Sequence, residues 1–221
     1  TMAGVIYYQG ESDDHKPNSY EKLLRSMIWN WRSLWEDGKL PFMLVQLPMH
    51  RYKQDPDHKN WCLIREAQMA VYESVKNTGI AIVTEQGEFN EIHPKEKTVV
   101  GERLALQALY HVYQKIKETE AFGPLFREVR YDVDYLELFF DYAEEGFVIE
   151  NKVQGFEIAG LDKKYVTADV VMTHNSIILS APGMRNPVYA RYLWTNYGDV
   201  TVFGKNGIPL APFRTSSGDQ E

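Results

Sequence analysis

Cysteine is all but absent: the 221 residues contain one, Cys62, so no intrachain disulfide can form and the core must hold the fold. That thiol falls within a helical pattern and reads as a small core residue. Long apolar runs are missing as well. No stretch approaches the ~20 consecutive apolar residues of a membrane-spanning helix, and no charged-then-apolar signal segment opens the chain. Basic residues are outnumbered, 24 Lys and Arg against 31 Asp and Glu, a net charge of -7 that has the wrong sign for a phosphate-backbone binder. Neither nucleic acid nor membrane is therefore expected as a partner. No internal repeat occurs, and the one compositionally biased segment is a polar tail from Ser216 to Glu221, expected to be disordered. What is there is ordinary globular composition, 44% hydrophobic and 25% charged. A chain of this length buries about 70% of its unfolded surface and needs no metal staple. It begins Thr-Met-Ala-Gly-Val-Ile-Tyr-Tyr, already inside a strand pattern, so a lead-in segment is expected upstream.

Two halves with different periodicity follow. In residues 1 to 121, three short apolar runs (Val5 to Tyr8, Phe42 to Leu47, Ile80 to Thr84) alternate with three helical patterns. The first helix follows an Asn18–Glu21 capping box and carries Leu23, Leu24, Met27, Ile28, Trp31 and Trp35 on its apolar positions, ending near Asp37-Gly38. The second runs from Trp61 through Val75, and the third is expected to start at Pro94 and reach Ile116. Such alternation implies right-handed crossovers and a parallel α/β sheet. Residues 122 to 221 instead show alternating, turn-punctuated segments that predict a β-rich antiparallel module: Glu128 to Tyr142, Phe147 to Glu150, Gly155 to Ala159, Tyr165 to Met172, Ser176 to Ala181 and Tyr189 to Trp194.

In open parallel sheets ligands bind beyond the carboxyl ends of the strands, where the crossover loops converge. Gln9-Gly10-Glu11 follows the first strand and Glu85 to His93 follows the third, so a carboxylate and an imidazole share one edge. Such a pair is half of a hydrolytic triad, with the carboxylate fixing the imidazole tautomer. Gly10 offers a backbone N–H that a substrate oxygen can approach without meeting a Cβ. The bland readings stand beside these: His93, extended before Pro94, as a residue that packs at a helix start, and Glu11 as a solvated loop acid.

Gly4-Val5-Ile6-Tyr7-Tyr8-Gln9-Gly10-Glu11-Ser12 resembles the Trp-Tyr-Gln-Gly-Glu-Ser block of the sialate O-acetylesterase family, carbohydrate esterases of the SGNH-hydrolase fold. The resemblance continues in order through Pro41-Phe42 with Val45-Gln46-Leu47, Arg65-Glu66-Ala67-Gln68, Ile92-His93-Pro94-Lys95 and Val100-Gly101-Glu102-Arg103-Leu104-Ala105. It closes with Arg191-Tyr192, Trp194, Asn206-Gly207-Ile208-Pro209 and Ala211-Pro212-Phe213-Arg214-Thr215. It implies a partial SGNH-like, flavodoxin-like parallel sheet followed by the β-rich module. It further implies an O-acetylesterase that removes acetyl groups from sugar hydroxyls, needs no cofactor or metal, takes O-acetylated carbohydrate as substrate and is secreted or periplasmic.

Carried over by position, His93 is the general base, and Gln9 and Gly10 lie at the oxyanion hole. The acid is left between Glu11 and Glu91, because the position three before His93, often Asp in SGNH enzymes, is Asn90. The nucleophilic serine belongs to a block upstream of Thr1, carried by an upstream segment of the same protein. Ser12, between a strand and a helix, is the internal alternative, but Asp14 replaces the second glycine of a nucleophile elbow. Trp61 and Arg65 are candidates for substrate binding, Trp61 by stacking on a sugar and Arg65 by pairing with a sugar carboxylate or, structurally, with Glu66. Trp31 and Trp35 read as core, and Asp13-Asp14-His15 as a solvated loop rather than a metal site. The competing function is a non-catalytic carbohydrate-binding protein that keeps the esterase fold; a lipid or aryl esterase ranks below both, for want of an apolar lid.

Overall fold

The computed structural model describes residues 2–216. The expected tail beyond Ser216 lies outside the described residues, while Ser216 is buried with its hydroxyl 3.0 Å from the Tyr165 phenol. The chain forms two compact units, one of Thr1–Phe122 with Thr195–Tyr197, the other of Gly123–Trp194 with the stretch from Gly198 onward.

In the first unit three parallel strands, β1 (Val5–Tyr7), β2 (Phe42–Gln46) and β3 (Thr78–Ile82), lie in that order. Helices α1 (Pro17–Leu34), α2 (Asn60–Ser74) and α3 (Thr98–His111) connect and follow them, and a short α4 (Glu118–Ala121) ends the unit. The parallel pairing of the three strands agrees with the alternation in the sequence. Along β2 successive side chains turn to opposite faces, and both faces are covered. Phe42 and Leu44 join Leu24, Ile28, Ile64 and Val71 beside α1 and α2, whereas Met43 and Val45 join Val100 and Leu104 of α3.

Three local expectations differ from the structure. The first helix starts at Pro17 with no side-chain cap, because proline's fixed φ suits a first helical position; Glu21 pairs with Arg25 at 2.7 Å instead of capping. Trp31 and Trp35 are not core but 38% and 55% exposed. The buried stripe runs Tyr20, Leu24, Ile28, Arg32, one position over, and Arg32 donates to the carbonyls of Leu40, Lys76 and Asn77. The third helix spans Thr98–His111 rather than Pro94 to Ile116; in the segment before it Glu91 accepts from His93, Glu88 from Lys95 and Glu96 from Thr98. Cys62 is buried in α2, as its position in the helical pattern indicates.

The second unit is built of antiparallel strands β4 (Leu125–Tyr131), β5 (Leu136–Asp141), β6 (Phe147–Ile149), β7 (Phe156–Ala159), β8 (Val166–Thr167), β9 (Asp169–Met172), β10 (Ser176–Ser180), β11 (Tyr189–Tyr192), β12 (Val202–Gly204) and β13 (Phe213–Arg214). They form sheets ordered β4-β5-β10-β9, β13-β11-β7-β8 and β12-β6. The Glu128 to Tyr142 segment is a hairpin rather than one strand, turning through Asp132 to Tyr135 where the Asp132 N–H bonds the Tyr135 carbonyl. Ala168 likewise divides the Tyr165 to Met172 segment into β8 and β9. The core is aromatic, with the rings of Phe126 and Phe213 stacked 4.6 Å apart.

Candidate active site

The chain leaves β1 through Tyr8 and Gln9 into a short 3-10 helix, Glu11–Asp13. Gly10, at its start, holds φ 146° and ψ -19°, a left-handed conformation that L side chains rarely adopt. A Cβ there would also lie 3.0 Å from Ile64 and 3.1 Å from Gln68 and Leu47, so glycine is required twice over. The carbonyl of Gln9 accepts from the Tyr20 hydroxyl at 2.8 Å and from Gln68 Nε2 at 3.0 Å. Because C=O and N–H point oppositely across a trans peptide, fixing that carbonyl on Tyr20 and Gln68 turns the N–H of the buried Gly10 away from those two side chains. Among the described residues that N–H has no acceptor. The Gln9 side chain is itself committed: Nε2 donates to Asp13 at 2.6 Å, and Oε1 accepts from Tyr7 and Tyr20 at 3.2 Å. What Gln9 offers a ligand is therefore the oriented peptide, not its amide.

The loop after β3 carries His93 to the same carboxyl edge. Only β2 separates β1 from β3, which sets the two loops about 10 Å apart at one strand spacing each. They meet directly: Ile92 packs on the cluster that holds Tyr7 and Tyr8, and the Lys97 ammonium lies 4.9 Å from the centre of the Tyr8 ring. Burial, then the Glu11 carboxylate, pushes the Tyr8 phenol up to about 12. His93 is exposed, and no described residue bonds its imidazole. Glu91 Oε1 accepts the His93 main-chain N–H at 3.0 Å, so that carboxylate sits beside the histidine but bonds its backbone rather than its ring. Glu11 is half-buried, and its carboxylate has no hydrogen bond to a described residue. Ser12, exposed in the 3-10 helix, lies on the same loop.

Two candidates do not face a ligand. Trp61 is 2% exposed; its indole N–H donates to the Pro48 carbonyl at 2.7 Å, and its ring lies 5.0 Å from that of His50. It is a core residue with no free face for a sugar. Arg65 is 1% exposed and its guanidinium donates to the Thr195 carbonyl and to Cys62 Sγ rather than to a surface anion or to Glu66. Burial lowers its pKa, and Nε and Nη1 have no hydrogen-bond partner among the described residues. An Arg at the start of a helix on the ligand edge reads as a binder from sequence; depth in the core is what the pattern does not display.

Residues the sequence reading left without a role prove central. Gln68 ties the two strand ends together, donating to Gln9 and accepting the Leu47 N–H at 2.9 Å. Its signal was position: three after Arg65, one helical turn on, facing the same edge. Asp55, Asp57 and Asn196 form a polar knot beside the loop after β2, with no sequence signal linking residues so far apart. A cavity of about 350 Å³ lined by Pro41, Glu73, Asn77 and His111 opens at the opposite end of the strands and contains none of these groups.

The chain is similar over nearly its whole length to known esterases. It is 28% identical to the sialate O-acetylesterase of Mus musculus over 96% of this chain and 44% of that protein. The sialate O-acetylesterase of Homo sapiens is 27% identical over 100% of this chain and 47% of that protein. The crystal structure of a novel carbohydrate acetylesterase from Xanthomonas citri superposes with a TM-score of 0.89 at 31% identity, over 98% of this chain and 51% of that one. The chain thus spans about half the length of the relatives it matches. Residues 1–110 match the family model for carbohydrate esterase, sialic acid-specific acetylesterase. Through that α/β half, the chain belongs to the sialic acid-specific acetylesterase family of carbohydrate esterases.

Proposed function

We propose that this chain supplies the general base and one oxyanion donor of a carbohydrate O-acetylesterase whose nucleophilic serine lies upstream of Thr1. His93 takes the proton of the serine hydroxyl as its oxygen attacks the acetyl carbonyl. The Gly10 N–H donates to the oxygen that becomes negative in the tetrahedral intermediate. Collapse of that intermediate expels the sugar oxygen, which takes the proton back from His93 and leaves an acetyl-serine. Water, deprotonated by His93, then releases acetate and frees the serine. No cofactor enters this cycle, and the substrate is an O-acetylated carbohydrate. The acid beside His93 is Glu11 or Glu91, both on this edge.

The observation that carries the proposal is the Gln9–Gly10 peptide, its carbonyl held by Tyr20 and Gln68 and its N–H directed away from them, in the loop after β1 on the edge that also bears His93. The test is acetate release from O-acetylated sialic acid and from acetylated oligosaccharides by the longer protein, with His93→Ala, Glu11→Gln and Glu91→Gln variants. Loss of release in the His93 variant, with a comparable loss in one of the two Gln variants, supports the assignment and picks the acid. Tight sugar binding with no acetate released from any substrate would favour a carbohydrate-binding protein that keeps the fold.

A further inference from the structure

The loop after β2 and the loop after β3 are stitched into one piece. The Met49 N–H donates to the Thr84 carbonyl at 3.0 Å, the Asn90 N–H to the Arg51 carbonyl at 2.9 Å, and the Lys53 N–H to Asn90 Oδ1 at 3.0 Å. Where they cross, Gly87 leaves no room for a side chain, since a Cβ would lie 1.7 Å from the Met49 carbonyl oxygen. His93 sits at the far end of the second loop, and the first loop is the body on which that loop hangs.

The first loop is in turn gripped by a segment more than a hundred residues away in sequence. Asn196, 5% exposed, uses all four of its polar groups on this loop and the helix start behind it. Its N–H donates to Asp57 Oδ1 at 2.7 Å and its Nδ2 to Asp55 Oδ2 at 2.8 Å. Its carbonyl accepts the His50 N–H at 2.8 Å, and its Oδ1 the Trp61 N–H at 3.0 Å. Neighbours reinforce the grip: the Thr195 hydroxyl donates to Asp57 Oδ2 at 2.8 Å, and the Tyr197 ring lies 5.4 Å from that of Phe89, inside the His93 loop.

We propose that Asn196 is a positioning residue for His93: through Asp55, Asp57 and His50 it fixes the loop after β2, and thereby the loop that presents the histidine. This rests on the esterase reading for its catalytic meaning, but not for its structural content. A buried asparagine whose Nδ2 donates to Asp55 cannot be exchanged for its own acid without placing two carboxylates face to face. The reciprocal exchange restores the match. In an Asp55→Asn, Asn196→Asp double variant the amide on residue 55 donates to the carboxylate on residue 196. The other oxygens keep their N–H donors from Asp57, His58 and Trp61.

Amide hydrogen exchange on the 221-residue chain reads the structural claim. Asn196→Asp should speed exchange at least about tenfold in both 48–59 and 84–97 while α1 and strands β5 and β10 stay protected, and the double variant should restore both loops. Cys62 gives a second readout, because its thiol lies 3.8 Å from Asn196 Oδ1 and is buried behind that contact. Labelling by a small disulfide reagent should follow the loops, faster in Asn196→Asp and slow again in the double variant. Faster exchange in 48–59 with 84–97 unchanged would overturn the proposal, as would a uniform rise over the whole chain or a double variant no better than the single. In the longer protein, Asn196→Asp should lower kcat with little change in KM, and the double variant should recover it. An unchanged kcat beside altered loop exchange would overturn the link to His93, whereas full activity of His93→Ala would instead remove the esterase reading and leave the loop result standing.

Discussion

Gln68 Nε2 lies 3.0 Å from the main-chain carbonyl oxygen of Gln9, and with the Tyr20 hydroxyl it fixes the direction of one peptide bond at the end of the edge strand. The same side chain accepts the Leu47 N–H at 2.9 Å, so a single amide registers the ends of β1 and β2 against α2. Gln68→Leu leaves the Leu47 N–H buried without that acceptor, while the Gln9 carbonyl keeps the Tyr20 hydroxyl. The expected cost is about 1–3 kcal/mol for that one orphaned group in denaturant unfolding. Because the Gln9–Gly10 peptide would lose one of the two bonds that orient it, acetate release by the longer protein should fall in kcat more than in KM.

Gly10→Ala sets a Cβ against Ile64, Gln68 and Leu47 at a φ of 146°. Strain of this kind costs on the order of 1–3 kcal/mol, visible as a lowered unfolding midpoint. Displacing the donor should reduce turnover about a hundred- to a thousandfold, the usual effect of losing one oxyanion contact. Unaltered turnover in a folded Gly10→Ala protein would remove Gly10 from the reaction.

Trp61→Phe separates a stacking role from a core role. It deletes the indole N–H that donates to the Pro48 carbonyl and leaves that acceptor buried. Unfolding should become easier by about 1–3 kcal/mol, while carbohydrate affinity measured by calorimetry stays unchanged. A loss of affinity with stability intact is the contrary outcome.

The α/β half was legible because its signals are local. Runs such as Phe42 to Leu47 are too apolar and too short for anything but a strand buried on both faces, and β2 is buried at every residue. The shared edge of Gly10 and His93 follows from strand order alone. Depth was not legible. Trp31 and Trp61 carry the same side chain in helical patterns, and the expectation was reversed for each: the buried stripe of α1 lies one position from Trp31, and Trp61, read as open to a ligand because it follows a polar loop, is 2% exposed. The start of α3 was not legible either: Pro94 suits a first helical position, yet the helix begins at Thr98, after a segment in which Glu91 and Glu88 accept the N–H groups of His93 and Lys95. The knot at Asn196 joins residues 55, 57 and 196, and no periodicity marks a contact of that range.

Acid should loosen that knot. Burial by itself raises the Asp57 carboxyl, but hydrogen bonds from Lys59, the Asn196 N–H and Thr195 hold it below its ordinary value of 3.8, and Asp55 is lowered likewise by Asn196 and two main-chain N–H groups. A carboxyl depressed on folding contributes its full stability above the unfolded value and loses it as pH falls through the folded one. Amide exchange in 48–59 should therefore be constant relative to unstructured peptide from neutral pH to about pH 4 and rise only below it. An Asp57→Asn variant should lose most of that acid dependence; an unchanged acid response would place its origin in other carboxylates.

The most direct test of the division of labour is intact-mass analysis after treatment with a fluorophosphonate serine probe, on this chain and on a protein extended upstream, each with a His93→Ala control. The expected result is no adduct on the 221-residue chain, and a His93-dependent adduct in the extended protein that maps before Thr1. A His93-dependent adduct on this chain at Ser12 would contradict it, giving the chain its own nucleophile and making Gly10-Glu11-Ser12 a catalytic turn.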